Sequence, residues 1–343
     1  MDLRSDAVTR PTEAMWEAMR RAEPGWALAG EDPYVARLES EGARLTGKEA
    51  SLFVPSGTAA NLLALMTVPK RGDQILLEAA SHILWAEEWG YAELCGLSAR
   101  GIPGDRGAIP LDALEAALTE ESFGHRPRTG LVCMENSHNA AGGAVLTPAY
   151  QGAVVAMCER YAVPVHVDGA RLLNAAAALG ESIGVLCAGA HTVTLNLNKG
   201  LGAPYGALLC GPSAVIENAR PVLRRIGGAS VHQAGILAAA CLEGLPHAVS
   251  QCEIDNRRAR ELGQGIAALG IELIEVASVE TNIVLLHLGA VSGDAAGMQA
   301  ALRSRGVLAS RRDSRTLRFV THRHIGQPEI ERALNAITDC FHR

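Results

Sequence analysis

The chain has 343 residues, of which 48% are hydrophobic and 20% are charged, and its formal net charge is −6. This composition is typical of a globular protein with a sizeable core, and the length predicts about two domains. A mildly acidic chain without a block of like charge disfavours a nucleic-acid-binding function, and no apolar stretch is long enough to span a membrane.

Helices and strands alternate over the first part of the chain. Helices are predicted at residues 33–45, 58–66 and 148–161, each entered through a proline or a small polar residue. Strands are predicted at residues 74–78, 129–135, 164–168, 191–197 and 206–210. Because several of these strands are short, continuous apolar runs, we expect an α/β fold with a mostly parallel sheet covered by helices.

The pattern changes after Gly244. A long helix is predicted at 249–269, strands at 271–276, 282–288 and 316–320, and further helices at 294–305 and 328–341. We therefore expect an N-terminal arm and large domain over residues 1–246 and a smaller C-terminal α+β domain over residues 247–343.

The eight cysteines are scattered, without Cys-x-x-Cys spacing, and most lie in apolar surroundings. This usage predicts buried, reduced thiols and no metal site, as expected of a cytoplasmic protein. The start of the chain also lacks the basic and then apolar pattern of a signal peptide.

Two strand ends carry the most specific chemical signal. The apolar run at 191–197 is followed by Lys199 and a Gly/Pro turn, and an earlier run at 163–167 ends in Asp168. Pyridoxal phosphate (PLP) chemistry requires this pair, since a lysine forms a Schiff base with the cofactor aldehyde and a carboxylate keeps the pyridine nitrogen protonated. Taken singly, Asp168 could cap the following helix and Lys199 could be a surface lysine, although the Gly/Pro turn after Lys199 disfavours the latter.

A phosphate site is predicted where Pro55-Ser56-Gly57-Thr58 precedes a helix. Free backbone N–H groups and the helix dipole at such a turn favour an anion. An ordinary N-cap gives the same local pattern, so the turn indicates a phosphate site only together with Asp168 and Lys199.

Together these segments resemble the low-specificity threonine aldolases of the aspartate-aminotransferase fold group. The matching segments lie at residues 2–6, 30–33, 53–58, 81–83, 135–138, 166–171, 199–204 and 320–322. Asp168-Gly169-Ala170-Arg171 and Lys199-Gly200-Leu201-Gly202-Ala203-Pro204 are together specific to that family. The resemblance spans nearly the whole chain and implies a large PLP-binding domain with a smaller C-terminal domain.

The resemblance also implies roles for individual residues. Lys199 forms the Schiff base, Asp168 pairs with the pyridine nitrogen, and His82 stacks on the cofactor ring. The remaining cofactor-binding residues are Gly57, Thr58, Arg171 and Arg224. The substrate carboxylate is bound by Ser5, Arg171 and Arg318. His82 and His125 are the candidate bases, and Glu87 or Glu88 is a candidate support for His82.

Two segments depart from the family pattern. Where the family has Asp-Asp-Val-Tyr before Gly-Glu-Asp-Pro, this chain has Ala27-Leu28-Ala29, so a tyrosine is missing. Where the family has Gly-Gly-Gly-Met-Arg-Gln, an arginine is replaced by His232. These departures leave PLP binding intact but leave the substrate and the main reaction open.

The expected reaction is retro-aldol cleavage of a β-hydroxy-α-amino acid, such as threonine or allo-threonine, to glycine and an aldehyde. β-Elimination and racemisation of a small amino acid use the same chemistry and remain alternatives. A non-catalytic nucleotide-binding protein is disfavoured, because the glycine-rich nucleotide motifs are missing. The resemblance further implies a homodimer or homotetramer with active sites at the subunit interface.

Overall fold

The large sheet forms the centre of the protein. In this computed structural model, residues 1–120, 126–229, 231–270, 274–276, 278–289 and 294–341 are described. The strands of the large sheet are β1 (Ala50–Val54), β2 (Gln74–Glu78), β3 (Ser98–Ile102), β4 (Thr129–Glu135), β5 (Val165–Gly169), β6 (Thr192–Asn196) and β7 (Ala207–Gly211). They lie in the order β1-β7-β6-β5-β4-β2-β3, and β7 runs antiparallel to both of its neighbours. The pairs from β6 to β3 are parallel, which confirms the predicted mostly parallel sheet.

Helices account for about half of the remaining described residues. They are α1 (Glu13–Arg21), α2 (Pro33–Thr46), α3 (Gly57–Thr67), α4 (His82–Trp85), α5 (Gly90–Glu93), α6 (Leu111–Thr119), α7 (Pro148–Arg160), α8 (Leu172–Leu179), α9 (Ile183–Leu186), α10 (Ser213–Arg225), α11 (Gly235–Gly244), α12 (Ala248–Ala268), α13 (Ala295–Ser304) and α14 (Gln327–Phe341). Capping residues determine where these helices begin and end. In α2, Pro33 occupies the first turn, and the Asp32 side chain accepts from the backbone N–H groups of Tyr34 and Val35. Gly47 ends α2 with a φ of 65°, a left-handed conformation that favours glycine.

A second, smaller sheet follows α12. Its strands are β8 (Ile274–Val276), β9 (Ile283–Leu288), β10 (Ser310–Arg311) and β11 (Thr316–Val320), and their order is β10-β11-β9-β8. Its pairings are antiparallel, and it has its own core of buried side chains from α12, α13 and α14. The three predicted strands are present, although residues 271–273 of the first lie outside the described residues.

The N-terminal segment joins the two sheets. The Leu3 N–H donates to the Leu308 carbonyl at 2.8 Å, the Val320 N–H donates to the Leu3 carbonyl at 2.8 Å, and the Leu3 side chain is buried in the core of the small sheet. Three residues later, Asp6 contacts Arg171 beside the large sheet. The predicted domain boundary at residues 246/247 stays a prediction, and the first residues pack against the small sheet.

Two expectations from composition agree with the structure. Seven of the eight cysteines are buried. Within the described ranges, no helix combines the length and apolar character needed to cross a bilayer.

Candidate active site

Asp168 lies at the carboxyl end of β5, in the middle of the large sheet. Ligands of parallel α/β sheets collect at this edge. The side chain is 1% exposed; its Oδ1 accepts from the Ala170 N–H at 3.0 Å, and its Oδ2 accepts from Asn61 Nδ2 at 2.9 Å. Asn61 projects from α3, one turn after Gly57. The two hydrogen bonds engage both carboxylate oxygens and hold the side chain in one orientation.

Lys199 follows the neighbouring strand β6 at the same edge. Burial lowers the pKa of Lys199, and the positive charge of Arg171 acts in the same direction, whereas the carboxylates of Asp6, Asp168 and Glu135 oppose the shift. Among the described residues, no hydrogen bond or ion pair involves its Nζ. A lowered pKa favours the neutral form of the amine, which is the form that attacks a carbonyl carbon.

The turn before α3 has the geometry of an anion site. Ser56 caps the helix by accepting from the Ala59 N–H at 3.2 Å, which leaves the N–H groups of Gly57 and Thr58 without a partner in the part of the chain that the structure describes. A Cβ atom at Gly57 would lie 3.1 Å from Asn196 Nδ2, so a larger residue would crowd the turn. The two N–H groups and the helix dipole favour a phosphate.

Two arginines converge beside Lys199. Arg171 binds Asp6 through two hydrogen bonds of 2.8 Å each, and its Nη1 donates to Asn139 Oδ1 at 3.1 Å. Arg318 Nη1 donates to the same oxygen at 2.9 Å. Burial, reinforced by the charge of Arg171, lowers the pKa of Arg318 to about 10. Two guanidinium groups that share one neutral oxygen form a positive region suited to a carboxylate.

Asp6 fixes Arg171 in this arrangement. Burial alone would raise the pKa of Asp6, but the Arg171 guanidinium lowers it below its usual range. Asn282 Nδ2 also donates to Asp6 Oδ2 at 3.0 Å. Arg171 is therefore neutralised on one side, and only its Nη1 points towards Asn139 and Arg318.

His82 begins the short helix α4 and contacts two acids. Its backbone N–H donates to Glu135 Oε2 at 2.7 Å, and its Nδ1 lies 3.1 Å from Glu87 Oε1. Burial opposes the charged imidazolium, but Glu87, Asp168 and Glu135 together raise the pKa of His82. The predicted support of His82 by a nearby glutamate is present, and Glu87 provides it.

The comparisons with known proteins identify the family. Residues 2–289 match the profile of the Beta-eliminating lyase family. The chain belongs to this family. Low-specificity L-threonine aldolase 1 of Arabidopsis thaliana is 37% identical over 99% of this chain and 95% of its own length. Alanine racemase TOXG of Cochliobolus carbonum is 31% identical over 99% of this chain and 86% of its own length.

Solved structures of the same fold agree. Leishmania major threonine aldolase superposes with a TM-score of 0.85 at 19% identity, covering 98% of each chain. The structure of a serine palmitoyltransferase with a PLP internal aldimine superposes with a TM-score of 0.75 at 18% identity, covering 99% of this chain and 87% of the other. The predicted aspartate-aminotransferase-like fold and the resemblance to threonine aldolases are confirmed.

Pyridoxal 5′-phosphate is the cofactor of this lyase, and the described residues fit it. The buried Asp168 carboxylate suits a protonated pyridine nitrogen, the buried Lys199 amine suits the aldehyde, and the free N–H groups of Gly57 and Thr58 suit the phosphate. These groups come from neighbouring elements at one edge of the sheet.

For the other predicted site residues, the structure gives less support for a position in the site. Ser5 is a capping residue here: its hydroxyl accepts from the Ala7 N–H at 3.2 Å and lies 3.4 Å from Asp6 Oδ1. Arg224 is exposed at the end of α10 and lines a cavity of about 310 Å³. No contact within the described residues joins Arg224 to Lys199. His125 lies outside the described residues.

The two segments that depart from the lyase family pattern lie side by side. The Ala27 N–H donates to the His232 carbonyl at 3.1 Å, and Ala27 and Leu28 line the same cavity as Arg224. The predicted departures therefore concern one region of the molecule rather than two.

Sequence reasoning missed the polar residues that hold the site together. Asn61, Asp6 and Asn139 each contact a predicted site residue but were given no role. Asp6 and Asn61 do lie in or close to segments that carry the family resemblance. A polar residue one helical turn after the phosphate turn was the available signal for Asn61.

Proposed function

We propose that this lyase cleaves β-hydroxy-α-amino acids between Cα and Cβ, releasing glycine and an aldehyde, with threonine and allo-threonine as substrates. The observation that carries the proposal is the convergence of Arg171 and Arg318 on one oxygen of Asn139, beside the buried Lys199 amine. This arrangement suits an amino acid bound by its carboxylate next to the cofactor. The similarity to threonine aldolases supports the substrate class.

Bound PLP would withdraw electrons from the substrate Cα. Lys199 would hold the cofactor through its amine, Asp168 would bind the pyridine nitrogen, and His82 would contact the ring. Gly57, Thr58 and Arg224 would bind the phosphate.

The carboxylate clamp decides which bond breaks. Arg318 Nη1 and Arg171 Nη1 bind the substrate carboxylate, and Ser5 completes the clamp. By fixing the carboxylate, the clamp would restrict rotation about the bond between the substrate nitrogen and Cα. Where that rotation sets the Cα–Cβ bond perpendicular to the ring plane, its electrons would overlap the ring system, and this bond would be the one aligned for cleavage.

His82 is the base for the β-hydroxyl proton. Its Nδ1 faces Glu87, so its Nε2 is the nitrogen available for proton transfer. A positioned base of this kind contributes roughly 10²–10⁴-fold to the rate. His125 is the second candidate base.

Racemisation of a small amino acid is the second candidate function. The relative named as an alanine racemase covers nearly the whole chain, and breaking the Cα–H bond requires the same Lys199 and Asp168. β-Elimination is the third outcome of the same chemistry.

Product analysis separates these reactions. The protein is mixed with L-threonine, L-allo-threonine, L-serine and L-alanine, and the products are separated on a chiral column. The proposal predicts glycine and acetaldehyde from both threonine isomers. D-Alanine without glycine would establish the racemase, and a 2-keto acid with ammonia would establish elimination.

The active enzyme is proposed to be a homodimer or homotetramer with active sites at the subunit interface. All four tryptophans are exposed, at 43% for Trp16, 55% for Trp26, 61% for Trp85 and 49% for Trp89. Trp85 and Trp89 lie next to each other, with ring centroids 6.4 Å apart, and an exposed apolar pair of this kind supports an interaction surface there. Light scattering at micromolar concentration tests the proposal, and a monomer with full activity would contradict it.

A further inference from the structure

Asn61 makes a complete set of hydrogen bonds behind the cofactor site. It is 1% exposed, and its Nδ2 donates to Asp168 Oδ2 at 2.9 Å and to Glu87 Oε1 at 3.0 Å. Its Oδ1 accepts from the Thr194 hydroxyl at 2.7 Å and lies 3.1 Å from His166 Nε2. Both amide hydrogens and both lone pairs of the oxygen are used.

The neighbours of Asn61 fix its orientation. Burial lowers the pKa of His166 to about 4, so this histidine is neutral at physiological pH. Its Nε2 lies 3.1 Å from Asn61 Oδ1, and its Nδ1 lies 2.9 Å from the Thr192 hydroxyl oxygen. A flipped amide would turn the Asn61 oxygen towards the carboxylate oxygens of Asp168 and Glu87. The Asn61 NH₂ group must therefore face the two carboxylates.

Two acids meet at that NH₂ group. One carboxylate oxygen of Asp168, one of Glu87 and one ring nitrogen of His82 all lie within 4.8 Å of one another. Burial and the negative charge of Asp168 raise the pKa of Glu87. The Asn61 amide is placed between the carboxylates, donates to both, and offsets their repulsion.

We propose that Asn61 is a positioning residue for the cofactor. Its amide holds the Asp168 carboxylate in the orientation that binds the pyridine nitrogen, and it links that carboxylate to the Glu87–His82 pair. The inference rests on the proposed role of Asp168, but it does not depend on which amino acid is cleaved.

The proposal is tested by cofactor binding to the apoenzyme. Dissociation constants are measured for PLP and for its analogue with a carbon atom in place of the pyridine nitrogen. Asn61→Ala is expected to weaken PLP binding about tenfold to a hundredfold, as for the loss of a hydrogen bond to a charged group, and to change analogue binding by less than about threefold. Equal weakening of both ligands, or of neither, would overturn the proposal.

Asn256→Ala is the matched control. Asn256 is also 1% exposed, and its amide donates to the Asn174 carbonyl at 3.0 Å, outside the site. This variant is expected to affect both ligands equally. If Asn61→Ala does not fold, Asn61→Asp, which preserves the side-chain volume, is used in the same comparison and is expected to show the same selective loss.

The wild-type protein separates this inference from the proposed function. If wild-type apoenzyme binds PLP and the analogue equally well, then Asp168 does not act on the pyridine nitrogen and its proposed role fails. If wild type prefers PLP and Asn61→Ala retains that preference, only the role of Asn61 fails. A spectrophotometric pH titration of the PLP-loaded protein gives a second readout, and its midpoint is expected to shift in Asn61→Ala but not in Asn256→Ala.

Discussion

Replacing Asp6 by asparagine should destabilise the protein strongly. Asp6 is fully buried and neutralises Arg171 through two hydrogen bonds of 2.8 Å. An asparagine at this position would keep the volume of the side chain but would remove the carboxylate that is hydrogen-bonded to the buried guanidinium. Breaking a buried ion pair in this way costs about 3–5 kcal/mol in the free energy of unfolding.

This cost translates into a measurable melting shift. An unfolding entropy of about 2.1 cal/mol/K per residue gives roughly 0.7 kcal/mol/K for a chain of this length. The midpoint of thermal unfolding of Asp6→Asn should therefore fall by about 4–7 °C, the quotient of the two estimates.

Circular dichroism of the apoprotein measures the shift, and Asp2→Asn is the control. Asp2 pairs with Arg4 at 2.6 Å in the same N-terminal segment, but the Arg4 side chain is half exposed. Such a pair contributes at most about 1 kcal/mol, so its loss should move the midpoint by no more than about 1–2 °C. Equal shifts for the two variants would refute the reasoning.

Three further substitutions test other parts of the site. Arg318→Ala should raise KM for the amino acid about tenfold to a hundredfold and leave PLP affinity unchanged, because it removes a charged hydrogen-bond donor from the carboxylate clamp. An unchanged KM would contradict the role of Arg318 in that clamp. Glu87→Gln should lower the pKa of His82, so the acidic limb of the activity profile should move to lower pH; an unmoved limb removes His82 from the role of base. Burial raises the pKa of Asp255 from 3.8 to about 7. Between these two pH values the folded state binds one more proton than the unfolded state. The free energy of unfolding therefore falls as the pH rises from about 4 to about 7. In urea titrations, the stability gained by Asp255→Asn should therefore be about 3 kcal/mol larger near pH 8 than near pH 5, and an equal gain at both contradicts the raised pKa.

Strands buried on both faces were predictable from the sequence. β2, β4 and β11 have the predicted bounds, because continuous apolar runs ended by polar residues leave little freedom in where a buried strand begins and ends. β3 gave no such signal, since this edge strand carries Arg100 and Gly101. Helix α10 was missed as well, and it contains Pro221, a residue that ordinarily predicts a helix end.

In the candidate site too, some residues were predictable from the sequence and others were not. Asp168 and Lys199 were predictable because each directly follows an apolar strand, and neighbouring parallel strands bring their ends together. Asp6 and Asn61 were not, because their partners Arg171 and Asp168 lie 165 and 107 positions away in the chain. The position of Asn61 one turn after the phosphate turn indicates that it lies near the site, but only the fold determines which polar residue it contacts across such a separation.

The most direct test of the account is to locate the covalent link between the protein and PLP. The holoenzyme is treated with borohydride, which reduces an imine to a stable amine, and is then digested and analysed by mass spectrometry. The account predicts one phosphopyridoxyl group per chain, attached to Lys199, and none on Lys199→Arg treated in the same way. Label on a different lysine, or label retained by the Lys199→Arg protein, would contradict it.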